Sequence, residues 1–498
     1  MQNNVVSVLK FGGTSVGNGE RIRRVAAIIA NTLKEDTETF PVVVVSAMSG
    51  VTDQLLRIAR YACSGKHEDC KQELKALEQK HFEAIESAIT NQVGREAVHQ
   101  ELEAALHGLA QDVAALRLAA EQGQDVALPT ATVAAWGERL SIRLVAAAAC
   151  DLGIAAEPVR QEIIITTHPK ADPSQPFGVV VGAEPLVAET QANARRLVGP
   201  LVAEGIVPIA CGFIGRTITG FVTTLGRNGS DYSATVIGAA LDCTEVSIYT
   251  DVDGVLTADP RLVANARLLP NLSYAEAARL SWFGAKVLHP RTLIPVAPRN
   301  IPVRVRNTFR PHIRGTVVGP LDHTQGGARA ITIRRRLALI TMESTDLFGA
   351  PETAGQVFAL AARAGATPIT ICSSSGHHLS FLVEEQAADS VIALLQHDMG
   401  SWAVRCRRGL AACACVGSGF TADPMSPGRA ITALASERIP VIAQGSSEQG
   451  IVLIVEDQDS ESALRGLHRD LIAPVIPLVR HPETVHAKRR EVGARGAR

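Results

Sequence analysis

From residue 5 onward the chain alternates short apolar runs with longer amphipathic ones: residues 5–9, then 21–33, then 42–45, then 53–62. The short runs are strand-sized and the longer ones carry helical periodicity, so the alternation predicts an α/β fold built on a parallel sheet. Between the first strand and helix lies Lys10-Phe11-Gly12-Gly13-Thr14-Ser15-Val16-Gly17, a glycine turn that lets the backbone approach a ligand. A second such stretch, Leu225-Gly226-Arg227-Asn228-Gly229-Ser230-Asp231-Tyr232-Ser233-Ala234, sets a cation, glycines and a carboxylate just ahead of an apolar helical run. There Arg227 has a fork for a carboxylate or phosphate, and the N–H groups opening the helix point at negative charge. Two anion sites in one chain suggest a substrate anion and a nucleotide.

At 498 residues the chain exceeds one core, and two or three domains are expected from ~100–200 residues per domain. A hydrophobic share of 46% with 20% charged residues is globular, and a formal charge of −1 gives no global field for nucleic acid or an anionic membrane. No apolar run approaches the roughly 20 residues of a spanning helix, and the amino terminus shows a strand and a glycine turn where a signal peptide needs an unbroken apolar segment. The 9 cysteines are odd in number and scattered through apolar stretches, as reduced thiols are, so a cytoplasmic protein is expected. Cys413 and Cys415 share one face of a strand and read as small core residues.

Residues 66–122 turn charged and helical, with Glu73, Lys75, Glu78 and Lys80 spaced as solvated helix faces. Strands return at 207–211 and 246–250, with a hairpin in 215–224 around Thr219-Gly220. The texture changes after Gln325-Gly326-Gly327. Strand 337–343, helix 353–364, strands 367–372 and 378–383 and helix 387–396 are followed by strand 410–416, helix 428–437, strands 441–444 and 451–456 and helix 460–471. This is a repeat of about 75 residues, each copy a βαββα unit.

The two glycine segments resemble those of the aspartate kinase family, within the amino-acid kinase superfamily. So do Val45-Ser46-Ala47-Met48-Ser49-Gly50-Val51-Thr52, Gly137-Glu138-Arg139-Leu140-Ser141, Cys211-Gly212-Phe213-Ile214-Gly215, Tyr249-Thr250-Asp251-Val252-Asp253-Gly254-Val255, Asp259-Pro260-Arg261 and Phe283-Gly284-Ala285-Lys286-Val287-Leu288-His289-Pro290. The resemblance implies a three-layer αβα sandwich with a mostly parallel central sheet over residues 1–320. Two α+β ACT regulatory units follow, at 330–407 and 408–478. In that family the units can interleave, which would return residues 475–478 to the first unit's sheet. A basic tail spans 479–498.

For activity, the resemblance implies ATP-dependent phosphorylation of the L-aspartate 4-carboxylate to 4-phospho-L-aspartate, at the entry to lysine, threonine and methionine synthesis. The nucleophile is already an anion, so the chemistry needs positive charge and positioning rather than a strong base. Lys10 is implied at the transferred phosphoryl, with Gly12 and Gly13 offering N–H groups, and Asp231 as the catalytic aspartate that orients Lys10. For aspartate the implied residues are Ser46 and Thr52 as hydroxyl donors, Glu138 for the α-ammonium, Phe213 at the wall, Arg227 on a carboxylate and Ser230 beside it. For ATP they are Thr250, Asp251, Asp259, Arg261 and Lys286, with Mg²⁺ arriving on the nucleotide. Leu256 stands where the family usually has tyrosine, and Trp136 replaces a smaller or polar residue. His289-Pro290 reads as a helix boundary, and His377 and His378 as surface residues.

Gln444-Gly445-Ser446-Ser447-Glu448 resembles the effector-facing turn of the threonine-sensitive, dehydrogenase-fused branch, which implies Gln444 and Ser446 as effector residues and threonine ahead of lysine as effector. Fewer than about 30 residues follow Leu471, too few for a dehydrogenase domain, so a kinase without that fusion is expected. ACT pairs usually work across subunits, so a homo-oligomer is expected too. Two other readings stay open. A kinase for glutamate or an N-acetylated amino acid would share the fold without the Glu138, Phe213 and Arg227 set. A catalytically silent amino-acid sensor would keep the repeat without Lys10 or Asp231.

Overall fold

The computed structural model describes residues 5–35, 38–169, 183–226, 228–285, 287–320, 326–344, 352–375, 377–400 and 402–472. Its first part runs β1 (Val6–Phe11), α1 (Gly19–Glu35), β2 (Phe40–Val45), α2 (Val51–Cys63), α3 (His67–Ala88), α4 (Gln92–Glu121), α5 (Ala127–Ala134), α6 (Trp136–Asp151), β3 (Ala156–Val159), β4 (Ile165–Thr166), α7 (Val187–Ala203), β5 (Val207–Cys211), β6 (Ile214–Thr217), β7 (Val222–Thr224), α8 (Gly229–Ala240), β8 (Val246–Thr250), β9 (Asn271–Ser273), α9 (Tyr274–Trp282), α10 (Pro290–Leu293), β10 (Val303–Asn307) and β11 (Thr316–Gly319). Eight strands form one sheet in the order β3-β5-β2-β1-β8-β10-β11-β9, parallel except where β10 meets β11.

Strand side chains alternate faces, and that period sorts the sheet into two cores. Val6, Val8, Val42 and Val44 face a core shared with α7, α8 and α9. Leu9, Phe11, Val43 and Val45 face the other, with α1, α2, α4 and α6. Helices thus cover both faces, the expected three-layer sandwich. β1 lies between β2 and β8, so the connections leave in opposite directions from this point and open a crevice at the carboxyl ends of the strands.

The second part comprises β12 (Ala330–Ser344), α11 (Glu352–Arg363), β13 (Thr370–Ser375), β14 (His378–Glu384), α12 (Ala388–Asp398), β15 (Trp402–Val416), α13 (Ser426–Ser436), β16 (Ala443–Ser447), β17 (Gly450–Glu456) and α14 (Ser460–Leu471). They form a six-stranded antiparallel sheet, β13-β14-β12-β15-β17-β16. β12 and β15 each run 15 residues, through both halves of the repeat. Residues 330–334 pair with 412–416, and 337–344 with 402–410, across a register irregularity. Arg336 (φ 58°) and Gly409 (φ 69°) sit at this break. It restores the facing that a one-residue slip would invert: Ile331 and Cys413 face the α13/α14 core, and Ala338 and Ile340 the α11/α12 core. The interleaving is therefore carried by residues 330–334; residues 475–478 and the 479–498 tail lie outside the described residues.

Candidate active site

A cavity of about 610 Å³ opens at the carboxyl ends of β1, β2 and β5. Lys10, Gly13, Ser46, Thr52, Glu138, Phe213, Ser230 and Asp231 all line it, so residues spread over 222 sequence positions from Lys10 to Asp231 meet in one place. Lys10 shares the β1 face of Val6 and Val8, under α8. It is 6% exposed and pairs with Asp231 in the first turn of α8. An acid in a first turn is favoured by the helix dipole, and it fixes the lysine without removing its charge from the cavity. The N-terminal residues of α8, Gly229 and Ser230, face the same space.

Glu138 enters from the first turn of α6. One carboxylate oxygen accepts from the Ala47 N–H (3.0 Å); the other is buried and without a partner among the described residues. Burial pushes this carboxyl up to about 8, against the opposing pull of the Ala47 N–H and the Lys10 charge. Such an orphaned acceptor is costly unless a cation arrives. The approach of α6 to the loop after β2 depends on Gly137, where a Cβ would come within 2.7 Å of the Ala47 methyl.

The sequence reading gives the Gly12 N–H to a phosphate. Here that N–H donates to the Tyr249 carbonyl (3.3 Å), latching the turn to β8, and Gly13 is the glycine that lines the cavity. Ser49 Oγ donates to the Gly13 carbonyl (2.9 Å), and Lys80 Nζ to the Ser49 carbonyl (2.5 Å), so α3 braces the turn. Lys80, assigned to a solvated face, is thus part of the scaffold.

Thr250 ends β8 and donates to Asp251 (3.2 Å), while Arg261 pairs with Asp259 at 2.6 Å. None of these four lines the cavity; they lie on β8 and in the segment leading to β9. Arg227 and Lys286 lie outside the described residues. Trp136 turns away from the site: its indole N–H donates to Asp112 on α4 (2.7 Å). Leu256 forms an isolated bridge with Leu268. His289 caps α10, its Nδ1 accepting from the Arg291 N–H (3.2 Å), as a helix boundary should. Cys413 and Cys415 are buried in the α13/α14 core.

Two contributors are missed by sequence reasoning. Asn228 (φ 56°) lines the cavity in a left-handed conformation, and the Asn-Gly pair is its signal. Arg291 donates to the Leu225 carbonyl (2.9 Å) and to Glu184 (3.0 Å), clamping the turn that precedes α8; its charge carried no such signal.

A lysine–aspartate pair, an anion-facing helix start and a buried acid thus meet at the switch point of a three-layer α/β sheet. Residues 6–307 match the amino acid kinase family and residues 414–471 an ACT domain. The chain is 33% identical over 483 residues to the bifunctional aspartokinase/homoserine dehydrogenase 2, chloroplastic, of Arabidopsis thaliana, with 93% of this chain and 50% of that protein covered. It is 32% identical over 486 residues to aspartokinase 3, chloroplastic, of the same plant, with 93% and 80% covered. E. coli aspartokinase III in complex with aspartate and ADP (R-state) superposes with a TM-score of 0.74 at 28% identity, over 94% of this chain and 100% of that one. The chain belongs to the amino acid kinase family and, within it, to the aspartokinases. It spans about half the length of the bifunctional relatives it matches.

Proposed function

We propose that the protein transfers the γ-phosphoryl of ATP to the 4-carboxylate of L-aspartate, giving 4-phospho-L-aspartate and ADP, under feedback from an amino acid sensed by its ACT sheet. The observation that carries this reading is the orphaned Glu138 oxygen, which faces the same cavity as the Lys10–Asp231 pair. An α-ammonium on Glu138 places an amino acid with its distal carboxylate free to reach Lys10. A carboxylate oxygen bonds to the γ-phosphorus as the bond to the bridging oxygen of ADP breaks, and no proton changes hands. Lys10 and the α8 N–H groups offset charge on the equatorial oxygens. Ser46, Thr52 and Ser230 hydrogen-bond the substrate, Phe213 walls it, and Arg227 forks onto its carboxylate. Thr250, Asp251, Asp259, Arg261 and Lys286 serve the nucleotide, with Gly12 and Gly13 shaping the turn.

Among the described residues no cluster of His, Cys, Asp and Glu could cage a metal, while Asp231 supplies an oxygen at the Lys10 end of the cavity. That donor set fits Mg²⁺ carried by ATP, which would screen the phosphate charges. The catalytic unit is residues 1–320, with ACT units at 330–407 and 408–478 exchanging their first strands. Gln444 and Ser446 are offered as effector contacts, threonine or lysine as effector, and a homo-oligomer through the edge strand β13, where Ile371 is 47% exposed. No helix among the described residues is long and apolar enough to cross a membrane; the free cysteines suit a reducing compartment such as the cytoplasm.

The test is ADP release with Mg·ATP and L-aspartate against L-glutamate. Aspartate-dependent turnover is expected, falling on the order of 10²–10³ or more in Lys10→Ala. Turnover with glutamate alone, or an undiminished Lys10→Ala enzyme, would refute the assignment.

A further inference from the structure

β10 closes with Asn307, and Thr308 and Phe309 follow it. None of these residues lines the Lys10 cavity, yet each is tied to a segment that bears on it. The Thr308 N–H donates to the Thr250 carbonyl (2.8 Å), at the end of β8. Its hydroxyl lies 2.6 Å from Ser15 Oγ, 293 positions away, and both side chains are fully buried. Ser15 Oγ in turn donates, more weakly, to the Tyr249 carbonyl (3.4 Å), which also accepts from the Gly12 N–H (3.3 Å). A hydroxyl has one proton to give, so the chain has one direction: Thr308 donates to Ser15 and Ser15 to Tyr249. Phe309 reaches the same glycine turn by another route. Its ring lies under the Arg21 and Arg24 guanidiniums, each 5.2 Å from the centroid, and Arg21 donates to the Thr14 carbonyl (2.8 Å).

Asn307 holds the segment that follows β8. Its side-chain N–H group donates to Asp253 (2.7 Å) and, more weakly, to the Asp251 carbonyl (3.3 Å), while its oxygen accepts from the Phe309 N–H (2.8 Å). One short stretch of chain therefore grips two others: the glycine turn after β1 and the 250–253 segment. A turn that contains Gly12, Gly13 and Gly17 has little stiffness of its own. Its place relative to β8 has to come from outside contacts, and a buried hydroxyl pair is directional and costly to half-break. Resting on the kinase reading, we propose that Thr308 is a positioning residue for phosphoryl transfer. By holding Ser15 it keeps the glycine turn, which has Lys10 at its start and Gly13 in the cavity, at a fixed distance from the segment assigned to the nucleotide. In-line transfer loses rate steeply when the reacting groups are misplaced, so this spacing is felt in the chemical step.

The test is steady-state kinetics of the full chain with Mg·ATP and L-aspartate. Thr308→Val keeps the side-chain shape and removes the donor; it should lower kcat about 10-fold. KM for L-aspartate should stay as in wild type, because Glu138 is fixed from α6 and by the Ala47 N–H rather than by the glycine turn. Thr308→Ser restores the hydroxyl and should recover most of the rate. Ser15→Ala should lose at least as much as Thr308→Val, and the double variant no more than Ser15→Ala, since both changes break one bond. Wild-type kcat in Thr308→Val, a Thr308→Ser enzyme as slow as Thr308→Val, losses that multiply in the double variant, or parallel rises in KM for both substrates would each overturn the proposal. Should Thr308→Val not fold, Ser15→Ala carries the same expectation of a lower kcat at unchanged KM for L-aspartate. Absence of aspartate turnover in wild type is a different failure, that of the kinase reading.

Discussion

Glu138 is a buried carboxyl that costs the empty protein stability once it ionises. Its carboxyl, ordinarily near 4.5, is raised to about 8 by complete burial. The folded protein therefore keeps a proton that the unfolded chain has lost between those values. Stability of the empty protein falls as pH rises through that window and levels off above about 8. Glu138→Gln keeps the shape without the charge, so at pH 8 it should melt on the order of a few °C above wild type, the gap closing towards pH 4.5. An ammonium ligand selects the ionised form, so KM for aspartate should fall as pH rises towards 8, and Glu138→Gln should lose both the dependence and most of the affinity. Thermal melts and initial rates across pH check both; a pH-independent KM in wild type would remove Glu138 from ammonium recognition.

Between elements, one link from the antiparallel sheet to the segment proposed to serve the nucleotide runs through Thr257. The Ile331 N–H donates to its carbonyl (2.8 Å). Its hydroxyl meets His468 Nε2 of α14 (2.9 Å), and His468 is 3% exposed. Ala258 and Val263, flanking Asp259 and Arg261, are buried in the α13/α14 core. His468→Ala should thus raise KM for ATP several-fold while sparing KM for aspartate, and His468→Gln, which still reaches the hydroxyl, should recover much of it; equal shifts in both constants would point to general loosening. None of this was legible in the sequence, because a hydroxyl and an imidazole 211 positions apart leave no pattern. The catalytic strands were legible. Val207–Cys211 and Val246–Thr250 fall where expected, since strands buried on both faces read as continuous apolar runs. The two glycine turns that carry Lys10 and Asp231 were legible, and the fold brings them to one cavity. The regulatory strands read short, 337–343 against Ala330–Ser344 and 410–416 against Trp402–Val416. Arginines 334–336, 405, 407 and 408 break the apolar pattern there, and carboxylates meet many of them, as Glu461 meets Arg335 (2.9 Å) and Glu343 meets Arg405 (3.1 Å).

On the scale of the whole molecule, one hydrophobic core runs from Val44 and Val246 of the parallel sheet through Leu280 and Phe283 to Leu410 and Val452 of the antiparallel one. Glu276 pins that continuity. It is fully buried, closes the capping box of α9 with Ser273, accepts from the Ser418 N–H (2.9 Å) and pairs with Arg329 at 2.9 Å. Burial alone would raise its pKa, but the Ser273 and Ser418 N–H groups and the Arg329 charge hold it below the ordinary value. Its stabilisation is therefore present above the ordinary carboxylate range and lost as pH falls through the lower folded value. At pH 7 the shared core should give one calorimetric unfolding transition. Glu276→Gln leaves Arg329 without its buried partner at a cost of about 3 kcal/mol, and because that cost falls on the junction, the transition should broaden or divide, as wild type should do only on acidification. A Glu276→Gln protein that melts like wild type would mean that the apolar contacts of α9 alone join the catalytic and regulatory sheets.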